Sequence, residues 1–259
     1  MSTHRMLTPE REQKIIELLQ GSTVLTVAEL SQFLDVSLAT VRRDLSNMQE
    51  RGLLQRVRGG ATLRRVMRAE PLFQDKETQN RSAKQAIAQA AFELIEDHDR
   101  IYLDGGSTLL MLARLLDQRR NLTIVTNSLM AAEALMTSSH KLILVGGEFR
   151  ALSRTLVGPL TSSIIKTIHV DKAFMGTIGF TLEDGMTTTD PAEAYTKECI
   201  MQRANQVILL ADSSKIGAPS FARSGKCEDV DILVTDAIDR QFREALESVG
   251  VEIAIAPIQ

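Results

Sequence analysis

The chain has 259 residues, 44% of them hydrophobic and 24% charged, with a formal net charge of −3 and two cysteines, Cys199 and Cys227. This composition excludes collagen-like, low-complexity and wholly disordered chains, and the isolated cysteines exclude a disulfide framework or a Cys-rich metal site. No run of about 18 apolar residues occurs and Met1 to Glu10 is polar, so no membrane span or export signal is expected and the location expected is cytoplasmic.

The charge is unevenly spread. Between Arg42 and Arg68 eight arginines stand against Asp44 and Glu50, a net of +6, which leaves −9 for the rest of the chain. A basic segment on an otherwise acidic protein is the electrostatic footprint of binding to a phosphate backbone.

In chain order, Thr8-Pro9-Glu10 caps a first helix, about Pro9 to Leu19, with Ile15, Leu18 and Leu19 at helical spacing and Gly21-Ser22 as its breaker. Thr26 caps a second helix ending near Leu34, with Glu29 at the third position of a capping box. The turn Asp35-Val36-Ser37 leads into a third helix, stopped by Arg51-Gly52. It carries Leu38, Val41, Leu45 and Met48 on its inner face and Thr40, Arg43 and Asn47 outside. Two helices joined by a tight turn, the second apolar inside and Arg/Thr/Asn outside, are the arrangement that places a helix in the DNA major groove. Arginine donates bidentate hydrogen bonds to guanine or phosphate, serine and threonine reach phosphate, and asparagine reads adenine. The stretch Leu53 to Ala61, with Gly59-Gly60 at its turn, reads as a wing, with Arg56 and Arg58 on one side of a strand. The expected DNA contacts are Ser37, Ala39, Thr40, Arg42, Arg43, Asn47, Arg56 and Arg58.

Residues 1–62 thus form the expected winged helix-turn-helix domain. Residues 63–82, polar and interrupted by Pro71, form the expected linker, and 83–259 the larger domain. There a helix from Ser82 to Ile95 precedes seven apolar strand candidates: Arg100–Leu103, Leu122–Val125, Leu142–Val145, Lys172–Met175, Val207–Leu210, Ile232–Val234 and Glu252–Ala256. Strands alternating with helices predict an α/β fold with a mostly parallel, Rossmann-like sheet, in which ligands sit at the strands' carboxyl ends. Those ends carry Asp104-Gly105-Gly106-Ser107-Thr108, Thr126-Asn127-Ser128, Gly146-Gly147, Gly176-Thr177 and Asp212-Ser213-Ser214-Lys215. Glycines admit an anion close to the backbone, the hydroxyls of Ser107 and Thr108 hold it, and Lys215 neutralises it, while Asp104, Asn127, Asp212 and Glu193 offer groups that fix a polyol. The first loop is neither a Walker A loop nor a dinucleotide fingerprint, which disfavours ATP and NAD, and no cofactor is expected. Four scattered histidines give no metal-ligand spacing. Glu193 and Lys197, four apart, have the spacing of a helix-surface salt bridge.

Val27-Ala28-Glu29-Leu30, Val36-Ser37, Thr40 to Leu45, Gly52 and Arg56 to Ala61 together resemble the DNA-binding signature of the DeoR family of bacterial transcriptional regulators. The strand-end motifs resemble that family's sensor domain, which has the sugar-phosphate isomerase fold, so the likeness covers nearly the whole chain. It implies a repressor of a carbohydrate catabolic operon, with a phosphorylated sugar or sugar alcohol bound at Ser107, Thr108 and their neighbours as effector. Operator half-sites require two protomers, so a homodimer or homotetramer is expected. An isomerase-like enzyme is the alternative. In that fold the fourth strand leads into an acidic cluster, whereas here Gly176 to Phe180 runs on without a carboxylate until Glu183, so catalysis is not expected.

Overall fold

The computed structural model describes residues 7–20, 25–63 and 67–258. The chain divides into two compact units, residues 1–66 and 67–259. Gly21, Ser22, Arg64 and Arg65 lie outside the described residues.

In the first unit α1 (Thr8–Gln20), β1 (Leu25–Thr26), α2 (Val27–Leu34), α3 (Leu38–Glu50), β2 (Leu54–Val57) and β3 (Gly60–Leu63) follow in order. The capping box expected at Thr26 and Glu29 is formed, and Asp35 closes α2 in the left-handed conformation at φ 51°. Ile15 and Leu19 of α1, Leu30 and Leu34 of α2, and Val41, Leu45 and Met48 of α3 pack with Leu54 and Ala61 into one core. Leu38, expected inside, is 45% exposed. It is the first residue of α3, and the inner row begins one turn later with Val41. The three strands form an antiparallel sheet in the order β1-β3-β2. At Gly60 a Cβ would collide with the carbonyl of Leu25, so the close pairing of β1 on β3 requires glycine.

The second unit begins earlier than expected. Residues 67–82, read as linker, belong to it: α4 (Phe73–Thr78) buries Phe73 and Lys76, and α5 (Arg81–Phe92) follows at once. Polar composition suggested a solvated tether, but Glu70 and Lys76 are buried and paired with each other. The remaining helices are α6 (Ser107–Ala113), α7 (Leu129–Leu135), α8 (Pro159–Ile165), α9 (Pro191–Met201) and α10 (Arg240–Ser248).

All seven strand candidates form one parallel sheet: β4 (Arg100–Leu103), β5 (Thr123–Thr126), β6 (Lys141–Leu144), β9 (Val170–Gly176), β12 (Ala204–Leu210), β14 (Ile232–Thr235) and β15 (Glu252–Ile255). Their order is β15-β14-β12-β9-β4-β5-β6. Two apolar clusters cover its faces, one with Ile87, Leu112 and Phe174, the other with Tyr102, Met175 and Ile200. The free thiols Cys199 and Cys227 are buried in the latter. The central strands β9 from Ala173 and β12 from Val207 are apolar on both sides, as burial on two faces demands. Short strands unexpected from the sequence add a hairpin of β7 (Glu148–Arg150) with β8 (Thr155–Val157). They also add a small sheet of β10 (Gly179–Thr181), β11 (Gly185–Thr188) and β13 (Ala222–Gly225). No helix among the described residues is long and apolar enough to cross a membrane.

Candidate functional site

Two sets of residues carry chemistry, one in each unit. On α3 the inner face includes a carboxylate, Asp44, which is 1% exposed. Arg11 of α1 grips it with Nε at 2.8 Å and Nη2 at 3.2 Å, and this hydrogen bonding raises the Arg11 pKa. Asp44 is thus a structural partner of an arginine, though of Arg11 rather than of its basic neighbours. The pair pins α3 to α1 and leaves the outer row free. Ser37 caps α3, its Oγ accepting from the Thr40 amide at 3.2 Å, and Thr40 is half-buried beside it. Ala39, Arg42, Arg43 and Asn47 are exposed, and neither Arg42 nor Arg43 has an ion-pair partner among the described residues. A row of uncommitted donors on a rigid helix matches what a groove-reading helix needs.

The wing differs in detail from the expectation. β2 ends at Val57, so Arg58 sits in the turn rather than on the strand with Arg56. The Arg56 amide donates to Gln49 Oε1 at 2.9 Å and its Nη1 to Ser46 Oγ at 2.8 Å, which ties the wing to α3. The exposed Arg58 at the tip has no ion-pair partner among the described residues.

In the second unit a narrow cleft, partly open to solvent, lies at the carboxyl ends of β4, β9 and β12. Its wall includes Gly105, Gly106, Ser107, Thr108, Gly176, Glu193, Asp212 and Lys215 of the expected residues. Asp104 lies just behind: its Oδ2 accepts from the Gly176 amide at 2.9 Å and from the ammonium of Lys197. The other expected residues are not brought to the cleft. Thr126 Oγ1 donates to the Leu103 carbonyl at 2.7 Å, Asn127 Nδ2 to that of Leu156 at 3.0 Å, and Ser128 caps α7. Gly146 and Gly147 serve packing: Gly147 has φ +158°, a Cβ there would strike Thr161, and Thr161 Oγ1 donates to the Gly146 carbonyl at 2.8 Å.

The pair Glu193–Lys197 is not on a helix surface. Both side chains are buried, and they belong to an alternating chain of charges. Lys76 donates to Glu70 Oε1 at 2.7 Å. Glu70 Oε2 takes Arg150 Nη1 at 2.8 Å and the Thr189 hydroxyl at 2.7 Å. Arg150 Nη1 lies 3.1 Å from Glu193 Oε2, and Lys197 stands between Glu193, at 3.7 Å, and Asp104. Burial raises the Glu193 pKa. Burial works against the charge of Lys197, yet Asp104 and Glu193 raise its pKa, so the ammonium is firmly held.

The opposite wall is cationic. Lys84, on the buried face of α5, donates to the carbonyls of Lys76 and of Gln79, the latter at 2.7 Å, and burial lowers its pKa to about 8. Lys215 is half-buried, its pKa lowered by burial, and its ammonium has no protein partner among the described residues. The Ser107 and Thr108 hydroxyls, on buried residues lining the same space, are likewise without a side-chain hydrogen bond there. Asp212 accepts from Asn80 Nδ2 at 2.9 Å and from the Ser214 hydroxyl. Free hydroxyls beside two lysines suit an anion, and flanking carboxylates suit hydroxyl groups.

Sequence reasoning missed Glu70, Lys76, Lys84, Arg150 and Ser153, named Thr177 only within a strand-end motif, and placed Lys197 on a helix surface. A signal existed for two: Lys84 precedes Ile87, Ala88 and Ala91 by three, four and seven residues, and Lys197 precedes Ile200 and Met201 by three and four. Each lysine therefore stands within an apolar helical stripe.

Two family models match the chain, a DeoR-like helix-turn-helix domain over residues 11–65 and the DeoR C terminal sensor domain over residues 79–237. The chain belongs to the DeoR family of transcriptional regulators. The HTH-type transcriptional regulator GlpR of Haloferax volcanii is 36% identical over 96% of this chain and 98% of that protein. The transcriptional repressor AccR of Agrobacterium fabrum is 34% identical over 92% and 93%. Among solved structures, ribose 5-phosphate isomerase A from Methanocaldococcus jannaschii overlays with a TM-score of 0.41 at 20% identity, over 53% of this chain and 55% of that one. That distant likeness carries no weight for chemistry. As a DeoR-family member the protein is a DNA-binding regulator. Its α3 row lies within the matched helix-turn-helix region, and most of its cleft lies within the matched sensor region. Residues 66–78, which contain Glu70 and Lys76, fall between the two.

Proposed function

We propose that the protein represses a carbohydrate catabolic operon and that a phosphorylated sugar or sugar alcohol in the second unit's cleft controls its hold on operator DNA. The observation that carries this reading is the set of uncommitted donors in the cleft, the Ser107 and Thr108 hydroxyls and the Lys215 ammonium, with Lys84 beside them. Donors that line a cleft without protein partners among the described residues are available to a ligand, and an anion is the partner they suit. Asp212 and Glu193 then stand where hydroxyl groups of the ligand would be fixed. The name of the AccR relative, a repressor, supports the sign of the regulation.

The DNA contacts of this reading are Ser37, Ala39, Thr40, Arg42, Arg43, Asn47, Arg56 and Arg58, with Arg56 also bracing the wing. The protein acts in the cytoplasm as a homo-oligomer, because one α3 covers only a few base pairs and two half-sites are needed for specific affinity.

The cleft binds rather than catalyses. A general base needs a carboxylate free to take a proton, whereas Asp104, Glu70 and Glu193 are each paired with a lysine or arginine and Asp212 accepts from Asn80 and Ser214. Thermal unfolding of the purified protein against a panel of phosphorylated and unphosphorylated sugars and sugar alcohols tests the reading, since a ligand of the native state raises its stability. A rise in Tm confined to a phosphorylated compound is expected. Stabilisation by unphosphorylated compounds alone would reject the anion site.

A further inference from the structure

We propose that residues 67–80, the stretch that follows directly on the DNA-binding unit in the chain, form part of the effector site, with Lys76 binding the anionic end of the effector. The proposal rests on the reading of the cleft given above and adds to it a site residue that neither matched family region contains.

The segment is fastened to the second unit at four places. The Arg68 amide donates to the Pro219 carbonyl at 3.0 Å, and Ser220 Oγ donates back to the Arg68 carbonyl at 2.9 Å. Glu70 is held by Arg150 and Thr189. Phe73 is buried, with the Arg154 guanidinium 5.2 Å from its ring centroid. Asn80, at φ 51°, reaches Asp212 and Ser214. Glu70 and Asp212 among these groups also line the cleft, as does Lys76 of the segment itself, and Lys84, another lining residue, holds the carbonyls of Lys76 and Gln79. The fastenings of the segment and the wall of the site therefore share Glu70 and Asp212.

Lys76 is the member of the segment with hydrogen bonds to spare. Its ammonium has one side-chain partner, Glu70, and can donate two further hydrogen bonds. Glu70 is a positioning residue: Arg150 and Thr189 fix its far oxygen, and its near oxygen holds the lysine at the cleft. A phosphate seated by Ser107, Thr108 and Lys215 draws on Lys76 as well, so occupancy stiffens residues 67–80. A ligand that orders a segment shifts the population of whatever that segment restrains, provided it binds the ordered state better.

The test uses the full-length protein with inorganic phosphate and a hexitol 6-phosphate as probes, reading affinity by calorimetry and amide exchange by mass spectrometry. Saturating hexitol 6-phosphate is expected to slow exchange in residues 67–80 by about fivefold. Lys76→Met is expected to weaken its binding about tenfold, the scale of one charge-assisted hydrogen bond. Lys76→Gln, which keeps a donor for Glu70 without the charge, gives the same readout if the methionine variant fails to fold. Binding that survives in both Lys76 variants and is lost in Lys215→Met, with exchange at 67–80 unchanged, overturns the proposal and leaves the cleft reading standing. Failure of both probes to bind the parent overturns the cleft reading and the proposal together.

Discussion

Asp44 stands between Arg43 and Leu45 in the middle of the basic recognition helix, yet its carboxylate is turned inward and its loss should act on folding rather than on DNA contact. Its side chain is 1% exposed and that of Arg11 8%, so Asp44→Ala removes two charge-assisted hydrogen bonds from a site that water barely reaches. Breaking such a pair by removing one partner costs about 3–5 kcal/mol. At about 0.05–0.15 kcal/mol per residue, a unit of 66 residues has about 3–10 kcal/mol in total, so the loss removes from about a third to all of the first unit's stability. Amide exchange in α1 and α3 should approach the rate of the unfolded chain, and DNA affinity should fall with the folded fraction. The salt slope of the remaining binding should stay unchanged, because no phosphate contact has been removed. Replacing both partners, Arg11→Met with Asp44→Leu, should restore most of the stability, since apolar groups of similar volume satisfy the same space. Retained exchange protection in Asp44→Ala together with lost DNA binding would refute this, and would make Asp44 a recognition residue.

Arg43→Ala should show the opposite pattern, an unchanged unfolding transition with specific DNA binding weakened by about 1–3 kcal/mol, and equal affinity in a titration at fixed salt would remove the α3 assignment. Ser107→Ala should weaken the binding of a phosphorylated effector about tenfold, the value of one hydrogen bond to an anion, as read by calorimetry. Binding of that effector should also depend on pH through Lys84. Burial brings its pKa to about 8, so the ammonium is present at pH 7, and its attraction for the anion is lost as pH rises through 8. If only the charged form binds, Kd rises about tenfold between pH 7 and pH 9, where the phosphate itself no longer titrates. Lys84→Met should flatten that profile, and a flat profile in the parent would contradict the role given to Lys84.

The sequence shows the scaffold plainly wherever burial is uniform. The seven strands of the large sheet are apolar runs because both faces of the sheet are covered, and the helix-turn-helix is marked by caps and a threefold to fourfold apolar spacing. The short strands β7, β8, β10, β11 and β13 escape notice because three or four residues rich in Gly, Thr and Arg give no periodic signal. The cleft is half legible. Loops at strand ends, such as Gly105 to Thr108, announce themselves by residue type, whereas Glu70 and Arg150 are charged residues that one sequence assigns to the surface. Their burial depends on partners 43 to 119 positions away, as in Glu70 with Thr189 and Glu193 with Arg150, and no local pattern records that. For the same reason residues 67–82 read as a tether and fold as part of the sensor unit.

The most direct measurement is a fluorescence-anisotropy titration of the full-length protein on a duplex selected from a random pool, with and without each member of a panel of sugar and sugar-alcohol phosphates. The account predicts tight, salt-dependent binding to the selected duplex and a shift of about tenfold or more in its midpoint with one phosphorylated compound, on the scale of known allosteric couplings. Selective DNA binding that no compound in the panel alters would contradict it.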